Sequence, residues 1–365
     1  MKRALIAGAG NAGLFLALLL TRQGWAVHVL EKGTQLRDGG GAILLWPNAT
    51  SLLERAGVEV PGATIRGLEL RRWDGRSLRQ LPVQDRRGGH SRVVWRGDLL
   101  RALYHRLPPD IVEFGRSLPA FEQRPEGVEV EGLGPFDLLV GADGIHSAVR
   151  QRLKGVEPVR SAGVTAWVGA SDGAFGPPGQ VVGMLARGQR FVRINMGQQT
   201  YWYAIVDDHL LAPDSSVSKL RIYFRGWENV VLDILDHARP QDVVRFSLAD
   251  RPPCSGWFEG AAVLVGDAAH PCAPDLGQGT CQALESAATL AEELLAPVAL
   301  ALPRYEDRRR QRTAIITHLA WASLQTSMPL DRLRFALVSL GITLAPALSF
   351  EHTLSWLFQE EATLS

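Results

Sequence analysis

RALIAGAGNAGLFLALLLTRQGWAVHVLE, residues 3–31, decides the fold of this 365-residue chain. Arg3 to Ala7 is a short apolar run with no charge after Arg3, the pattern of a buried parallel strand. It runs directly into GAGNAG at Gly8 to Gly13. There Gly8 allows a tight turn, Gly10 lets a pyrophosphate come against the backbone, and Gly13 lets the next helix, Leu14 to Arg22, pack close on the strand; Ala12 lies in the same turn. A phosphate at this point would meet the free N–H groups and positive dipole end of that helix. A second strand, Ala26 to Leu30, ends at Glu31, placed where a carboxylate accepts hydrogen bonds from a ribose diol, with Lys32 beside it. A secretory leader also begins with basic residues before an apolar stretch, as Lys2 and Arg3 do here. Against that reading, Thr21, Arg22 and Gln23 stand where a small-residue cleavage site belongs.

Two more glycine- and aspartate-bearing signatures follow in order. GADGIHSAVR, residues 141–150, ends an apolar strand (Leu138 to Val140) and delivers Asp143 and Gly144 to a turn ahead of a helix carrying Ser147 and Arg150. The carboxylate there suits a ribose or the amides that cradle a pyrophosphate, and equally suits a capped strand-to-helix turn in which Asp143 serves only its neighbours. GDAAHPCAPDLGQG, residues 266–279, follows the strand Ala262 to Val265 and precedes a long helix from Thr280 to about Leu295. Asp267 can bond a ribityl chain, while Pro274, Gly277 and Gly279 form a loop whose N–H groups can approach a ligand held at the positive end of that helix. A Gly/Pro loop before a helix is also a common turn; its length and composition, together with the ordered set, favour the ligand reading.

Composition sets the remaining bounds. With 46% hydrophobic and 21% charged residues the chain reads as globular, and its length suggests two domains. A net charge of +1 gives no reason to expect nucleic acid or an anionic membrane as partner. Three cysteines without a CxxC spacing argue against a disulfide framework and fit a reducing cytoplasm, and His270, Cys272 and Cys281 match no zinc pattern, so no metal is expected. Phe335 to Phe350, interrupted by Gly341 and Pro346, reads as packed terminal helices.

From Ile65 to Arg96 the pattern changes to strand-like pieces (IRGLELRRW, SLRQLPV, SRVVWR) separated at Asp74-Gly75 and Gly88-Gly89, as in antiparallel hairpins. A helix from Asp98 to Arg106, with Asp98 as its cap, and a small meander then lead back to the core. From about Gly163 to Ser247 the chain is strand-rich again, with a sheet polar on one face. The expected fold class is α/β: a discontinuous Rossmann-like nucleotide domain (1–64, 97–162 and 255–325), an inserted mainly antiparallel β-sheet substrate domain (65–96 and 163–254), and a C-terminal helical segment (326–365).

GAGNAG with Glu31, VVWRGDLLRAL around Arg96, DLLVGADGIHSAVR and VLVGDAAHPCAPDLGQGTCQALESA resemble the motifs of the single-component, FAD-dependent aromatic hydroxylases, the family of para-hydroxybenzoate, salicylate and urate hydroxylases and zeaxanthin epoxidase. The likeness is collinear from Met1 to about Arg312 and includes YEDRRRQR at Tyr305. It implies that Gly8, Gly10, Ala12 and Gly13 hold the pyrophosphate and Glu31 and Lys32 the adenosine end. It places Arg96 near the phosphates and ribityl chain, and Leu118 on the adenine side. Asp143 and Gly144 would serve FAD and the transient docking of NAD(P)H. Asp267 would bind FAD, with Pro274 and Gly277, Gln278, Gly279 and Thr280 beside the isoalloxazine ring. Cys281 and Ser286 depart from the family's frequent asparagine and aspartate. No second glycine-rich nucleotide fold follows the first, in keeping with a family whose NAD(P)H has no Rossmann domain of its own. The halogenase motif WxWxIP is absent.

The resemblance implies a monooxygenase that uses NAD(P)H and O2 to hydroxylate a small aromatic or heteroaromatic substrate through a flavin hydroperoxide, as a monomer or homodimer; an epoxidase or a non-oxygenating reductase or oxidase of the same fold is the alternative. The substrate would lie between flavin and inserted sheet. In Gln189 to Met196, Arg190 shares a face with Val192, Ile194 and Met196, and in Thr200 to Val206, Tyr201, Tyr203 and Ile205 share one. Arg190, Tyr203 and Pro274 are the candidates around the reacting centre, with Arg193, Tyr201 and Trp202 as the alternative if the register is opposite; an exposed arginine and a core aromatic would look the same.

Overall fold

Arg3–Ala7 forms the expected strand, the helix that follows is Asn11–Arg22, and the next strand is Ala26–Glu31. The computed structural model describes residues 1–37, 39, 41–83, 90–212, 219–345 and 353–359. Every residue from Ala12 to Leu20 is buried, so the helix is apolar all round because both of its sides are covered. Arg3–Ala7 lies within a six-stranded sheet between Leu138–Gly141 and Ala26–Glu31, flanked by Ala262–Leu264 and Val112–Phe114, all parallel; Phe258–Glu259 adds an antiparallel edge. Both turns that leave the central pair at their carboxyl ends thus sit side by side, where ligands bind in open α/β sheets.

A seven-stranded sheet carries the strands between, in the order Val244–Asp250, Arg160–Asp172, Gln199–Asp207, Gln189–Asn195, Gln180–Ala186, Gly67–Arg72, Ser77–Pro82. One face, with Val168, Ile194, Tyr201, Tyr203 and Ile205, joins the core of the parallel sheet. The other face was expected to be polar, and the structure corrects this. Trp167, Phe191 and Trp202 form a second core there with Phe224, Trp227 and Ile234, because the short helices Leu220–Tyr223 and Asn229–Asp236 fold back over the sheet.

Three further expectations are corrected. Gly67–Arg72 and Ser77–Pro82 pair as a hairpin, but Arg92–Trp95 does not extend it; that strand pairs with Ala42–Leu45 and Gly62–Thr64 in a separate sheet. The Gly88-Gly89 turn lies outside the described residues. The helix begins at Arg96 rather than Asp98, since the strand runs straight into it and the Arg96 N–H bonds the Gly41 carbonyl at 3.1 Å. Asp98 is therefore not the cap but a first-turn acid paired with Arg101 at 2.6 Å. Finally, the terminal helix Arg332–Leu344 buries none of its residues fully, lying on the edge strand Ser77–Pro82 where Arg79 bonds its last carbonyls. No helix among the described residues is long and apolar enough to cross a membrane.

Candidate active site

The glycine turn is built by close approach. Gly8 has φ +106°, and its N–H donates to the Leu30 carbonyl at 2.7 Å. A Cβ on Gly13 would stand 2.0 Å from the Gly8 carbonyl oxygen, so no side chain is admissible where helix crosses strand. Gly10, by contrast, caps the helix with nothing within 4 Å of its Cβ position, no side-chain cap and no acid in the first turn. The first-turn N–H groups face open space, as a pyrophosphate needs. Ala12 closes the far wall against Gly266. Glu31 accepts from the Ala9 N–H at 2.9 Å and from the Gly33 N–H at 2.8 Å, which fixes its carboxylate beside the turn. Lys32 is exposed beyond it and Leu118 is half-buried.

Asp143 is placed for both things the sequence left open. One oxygen accepts from the Ala148 N–H at 2.7 Å, while the other is buried without a partner; burial holds the carboxyl above the ordinary range. Gly144 follows at φ +84°. Asp267 lies deep in the fold yet has open surface, the combination of a residue lining a cleft, and burial raises its carboxyl while Arg96 pulls it down. The Arg96 Nε and the Asn11 Oδ1 are likewise buried and unpaired. Unpaired buried polar atoms cost free energy unless a ligand satisfies them. The residues present therefore fit a polar dinucleotide: acceptors and donors converge on one cleft from all three signatures.

The loop before the last signature's helix bends through a turn at Pro274–Leu276 into Gly277 at φ +61°, and the helix Gly279–Glu293 follows. Pro274 is exposed at the start of that turn. Thr280 accepts from Asn11 Nδ2 at 3.2 Å, tying this helix to the glycine turn. The Gln278 side chain does not face the cleft. It bonds Asn48, Gln282 and the Leu357 carbonyl, which leaves only its backbone for a ligand. Cys281 is buried against Trp46, its thiol pushed up to about 12 by burial. Ser286 bridges His270 (2.8 Å) and Arg309 (3.2 Å), and burial together with Arg309 pushes His270 down to about 3, so it is neutral.

The register puts Arg190, Val192 and Ile194 opposite Ile205, Tyr203 and Tyr201, all on the face toward the parallel sheet. Arg193 and Trp202 point the other way, bonding Phe175 and Ser171; Tyr201 belongs with the first face, packed on Gly41. Arg190 Nη1 meets Asp275 Oδ1 at 2.6 Å, joining the sheet to the glycine loop. Burial works against the charge of Arg190, but Asp275 and Tyr203 more than restore it. The Tyr203 hydroxyl stays neutral, raised by burial. Arg190 Nε, Asp275 Oδ2 and the Tyr203 hydroxyl are all buried and lack a hydrogen-bond partner. Arg190 and Tyr203, both named from the sequence, come together on one face with Asp275, which the sequence reading does not single out although it is the only acid in PDLGQG. That reading also missed Asn11 and Trp46.

A family model described as FAD binding domain matches residues 1–320. The chain is similar to an aurachin C monooxygenase/isomerase of Stigmatella aurantiaca, 33% identical over 333 residues that cover 84% of this chain and 85% of the relative. It is similar also to a 3-amino-4-hydroxybenzoate 2-monooxygenase of Streptomyces platensis, 33% identical over 85% of this chain and 84% of that one. The fold matches the structure of Klebsiella pneumoniae HpxO complexed with FAD and uric acid at a TM-score of 0.90 and 26% identity, covering 98% of this chain and 96% of the other.

Proposed function

Because the chain belongs to the FAD-binding-domain family of aromatic hydroxylases and is an FAD-dependent monooxygenase acting on aromatic or heteroaromatic substrates, we propose that Arg190, Tyr203 and Asp275 hold and activate its substrate. Three unpaired buried polar atoms on three side chains carry this reading. A guanidinium donor, a neutral phenol and a carboxylate acceptor together complement a ring that bears an O–H or N–H next to an oxo or hydroxyl group. Asp275 Oδ2 accepts the ring's proton-bearing group in a hydrogen bond, and Arg190 stabilises the negative charge that grows on the ring as that proton shifts. An electron-rich ring is what an electrophilic oxygen attacks. Bound FAD, reduced by NAD(P)H, supplies that oxygen atom from O2, the second oxygen leaving as water.

For the cofactor we propose that Gly8, Gly10, Ala12 and Gly13 cradle the pyrophosphate, that Glu31 and Lys32 hold the adenosine end with Leu118 beside it, and that Arg96, Asp143, Gly144 and Asp267 line the central cleft. Pro274, Gly277, Gly279, Thr280 and the Gln278 backbone flank the ring. A cavity of about 190 Å³ walled by His146, Arg150 and Arg251 supports docking of the NAD(P)H diphosphate next to Asp143, since Arg150 pairs with the Glu157 carboxylate while Arg251 donates, among the described residues, only to the main-chain carbonyls of Ile145, Glu157 and Pro158. On this reading 1–64, 97–162 and 255–325 form the cofactor unit and 65–96 and 163–254 the substrate unit, with 326–365 as the C-terminal segment. The protein would work in the cytoplasm, where NAD(P)H is available and its three free cysteines persist, as a monomer or homodimer.

The test is a panel of hydroxybenzoates, purines, quinolines and polyenes scored for stimulated NAD(P)H oxidation and for a product one oxygen heavier. Substrates of the stated kind should give both; peroxide alone from every compound would sink the reading. In the same assay Arg251→Ala should raise the KM for NAD(P)H without loss of FAD. Asp267 gives a separate check. A carboxyl raised in the folded state costs stability as pH rises through that folded value. Asp267→Asn apoprotein should thus melt no lower than the parent at neutral pH, while its FAD affinity falls by roughly ten- to a hundredfold, the scale of a lost charged hydrogen bond. A variant that melts lower and still binds FAD fully would reassign Asp267 to folding.

A further inference from the structure

Arg312 is a buried arginine spent on main chain. It lies on the helix Val298–Ser327, is 4% exposed, and donates to the carbonyls of Trp356 (3.3 Å), Leu357 (3.1 Å) and Gln359 (2.6 Å). Its guanidinium also stands 4.9 Å from the Trp356 ring, and Glu285 balances its charge at 3.3 Å. A single helical turn at 353–357, too short to hold itself together, is in this way capped by a side chain from another helix. Two contacts then run from the segment to the glycine loop. The Leu357 carbonyl accepts from Gln278 Nε2 at 3.2 Å, and Phe358 stacks on Trp46 at 4.8 Å. Trp46 in turn donates through Nε1 to the Leu276 carbonyl at 3.0 Å and lies 3.1 Å from the Cβ position of Gly277. The last described stretch of chain therefore braces the residues on both sides of the left-handed Gly277, the point that aims the loop's amides.

We propose that residues 353–359 are a positioning strap for the loop Pro274–Gly279, setting through Phe358–Trp46 and Leu357–Gln278 how that loop meets the isoalloxazine ring. The inference rests on the FAD reading above for its consequence, but not for its contacts. Phe358, Leu357 and Arg312 make their contacts with protein groups. They act through Trp46 and Gln278.

The experiment compares Phe358→Ala, Phe358→Tyr and Arg312→Lys in the full chain. Amide hydrogen exchange is followed at 276–280 in apoprotein, and FAD is titrated by flavin fluorescence. For Phe358→Ala the loop amides should exchange faster, and FAD should bind more weakly, by between about two- and tenfold, the range for one lost aromatic pair. The strands Arg3–Ala7 and Leu138–Gly141 should keep their protection, and Phe358→Tyr should restore both readouts. Arg312→Lys, which keeps the charge but not the fork, should loosen 353–359 and the loop together. Unchanged loop exchange and FAD affinity in Phe358→Ala would overturn the proposal. So would equal loosening of the central strands, which would make the contact merely structural. A parent protein that takes up no FAD sinks the functional reading instead, and the exchange result on the apoprotein still decides the strap.

Discussion

Asp275→Asn is expected to lower turnover at saturating substrate by about 10²- to 10³-fold while FAD content stays at the parent level. Asparagine keeps the shape and the hydrogen bond to Arg190 Nη1 but removes the charge opposite a guanidinium that is 8% exposed. Breaking a buried pair by neutralising one member costs about 3–5 kcal/mol. That cost falls on stability, whereas the rate loss comes from the missing proton acceptor, a positioned general base being worth about 10²- to 10⁴-fold. Asp275 Oδ2 is also the buried acceptor with no protein partner, so the variant loses the atom that would draw the ring's proton. Steady-state kinetics with a confirmed substrate gives the measurement. Reduction of the bound flavin by NAD(P)H without substrate should remain within about twofold of the parent, because the change touches the substrate side only. A turnover number within threefold of the parent would remove the carboxylate from the chemistry.

Three strands of the parallel sheet are legible because they are buried on both faces and lead into glycine. Arg3–Ala7 was read to the residue, and Leu138–Gly141 and Ala262–Leu264 to within one at the end. Helix starts are harder: a cap at Asp98 is expected where Arg96 follows Trp95 directly, and the first helix begins at Asn11 rather than Leu14. The pairing of Arg92–Trp95 was not legible, because nothing local tells a hairpin strand from one that crosses to another sheet. Alternation in the seven-stranded sheet groups Arg190 with Val192 and Ile194 and leaves open which face points inward, and the helices that cover the other face follow later in the chain and hide that burial from any local pattern.

Charge conceals the burial of the last long helix. Tyr305, Arg309, Arg312 and Ile316 are all buried on the helix Val298–Ser327, a helical stripe pointing inward. Two arginines in it leave YEDRRRQR with no local sign that this stripe is buried. They are held by Glu285, which meets Arg309 at 2.6 Å, and by the Gln282 and Ser286 side chains. Ser286, a departure from the family pattern, is thereby explained: with neutral His270 beside it, a hydroxyl satisfies both neighbours. Asp275 escaped for the opposite reason, being one acid within a loop whose glycines drew the reading to its backbone.

Gly13→Ala and Gly10→Ala should separate the two uses of glycine in the first signature, and the difference between them is the largest effect expected anywhere in the chain. At Gly13 the new methyl would stand 2.0 Å from the Gly8 oxygen and 3.3 Å from the Ala142 Cβ. Gly8 cannot retreat, since its own Cβ position is 2.5 Å from the Ala142 carbonyl oxygen, and that residue follows the neighbouring strand. The obstacles are backbone, so the helix Asn11–Arg22 must lift from the sheet. Overpacking of flexible cores costs about 1–3 kcal/mol, and a clash with no movable side chain sits at or beyond the top of that range. Gly13→Ala is expected to lose several degrees of melting temperature even as apoprotein and to purify colourless. At Gly10 nothing lies within 4 Å and φ is −82°, a value any residue adopts. Gly10→Ala apoprotein should melt close to the parent, yet its methyl fills the space where the pyrophosphate meets the helix N-terminus, so flavin should be lost all the same. Calorimetry of the apoproteins beside flavin absorbance of the purified variants makes the comparison. Equal melting losses at the two positions would show that Gly10 serves the turn and not the nucleotide.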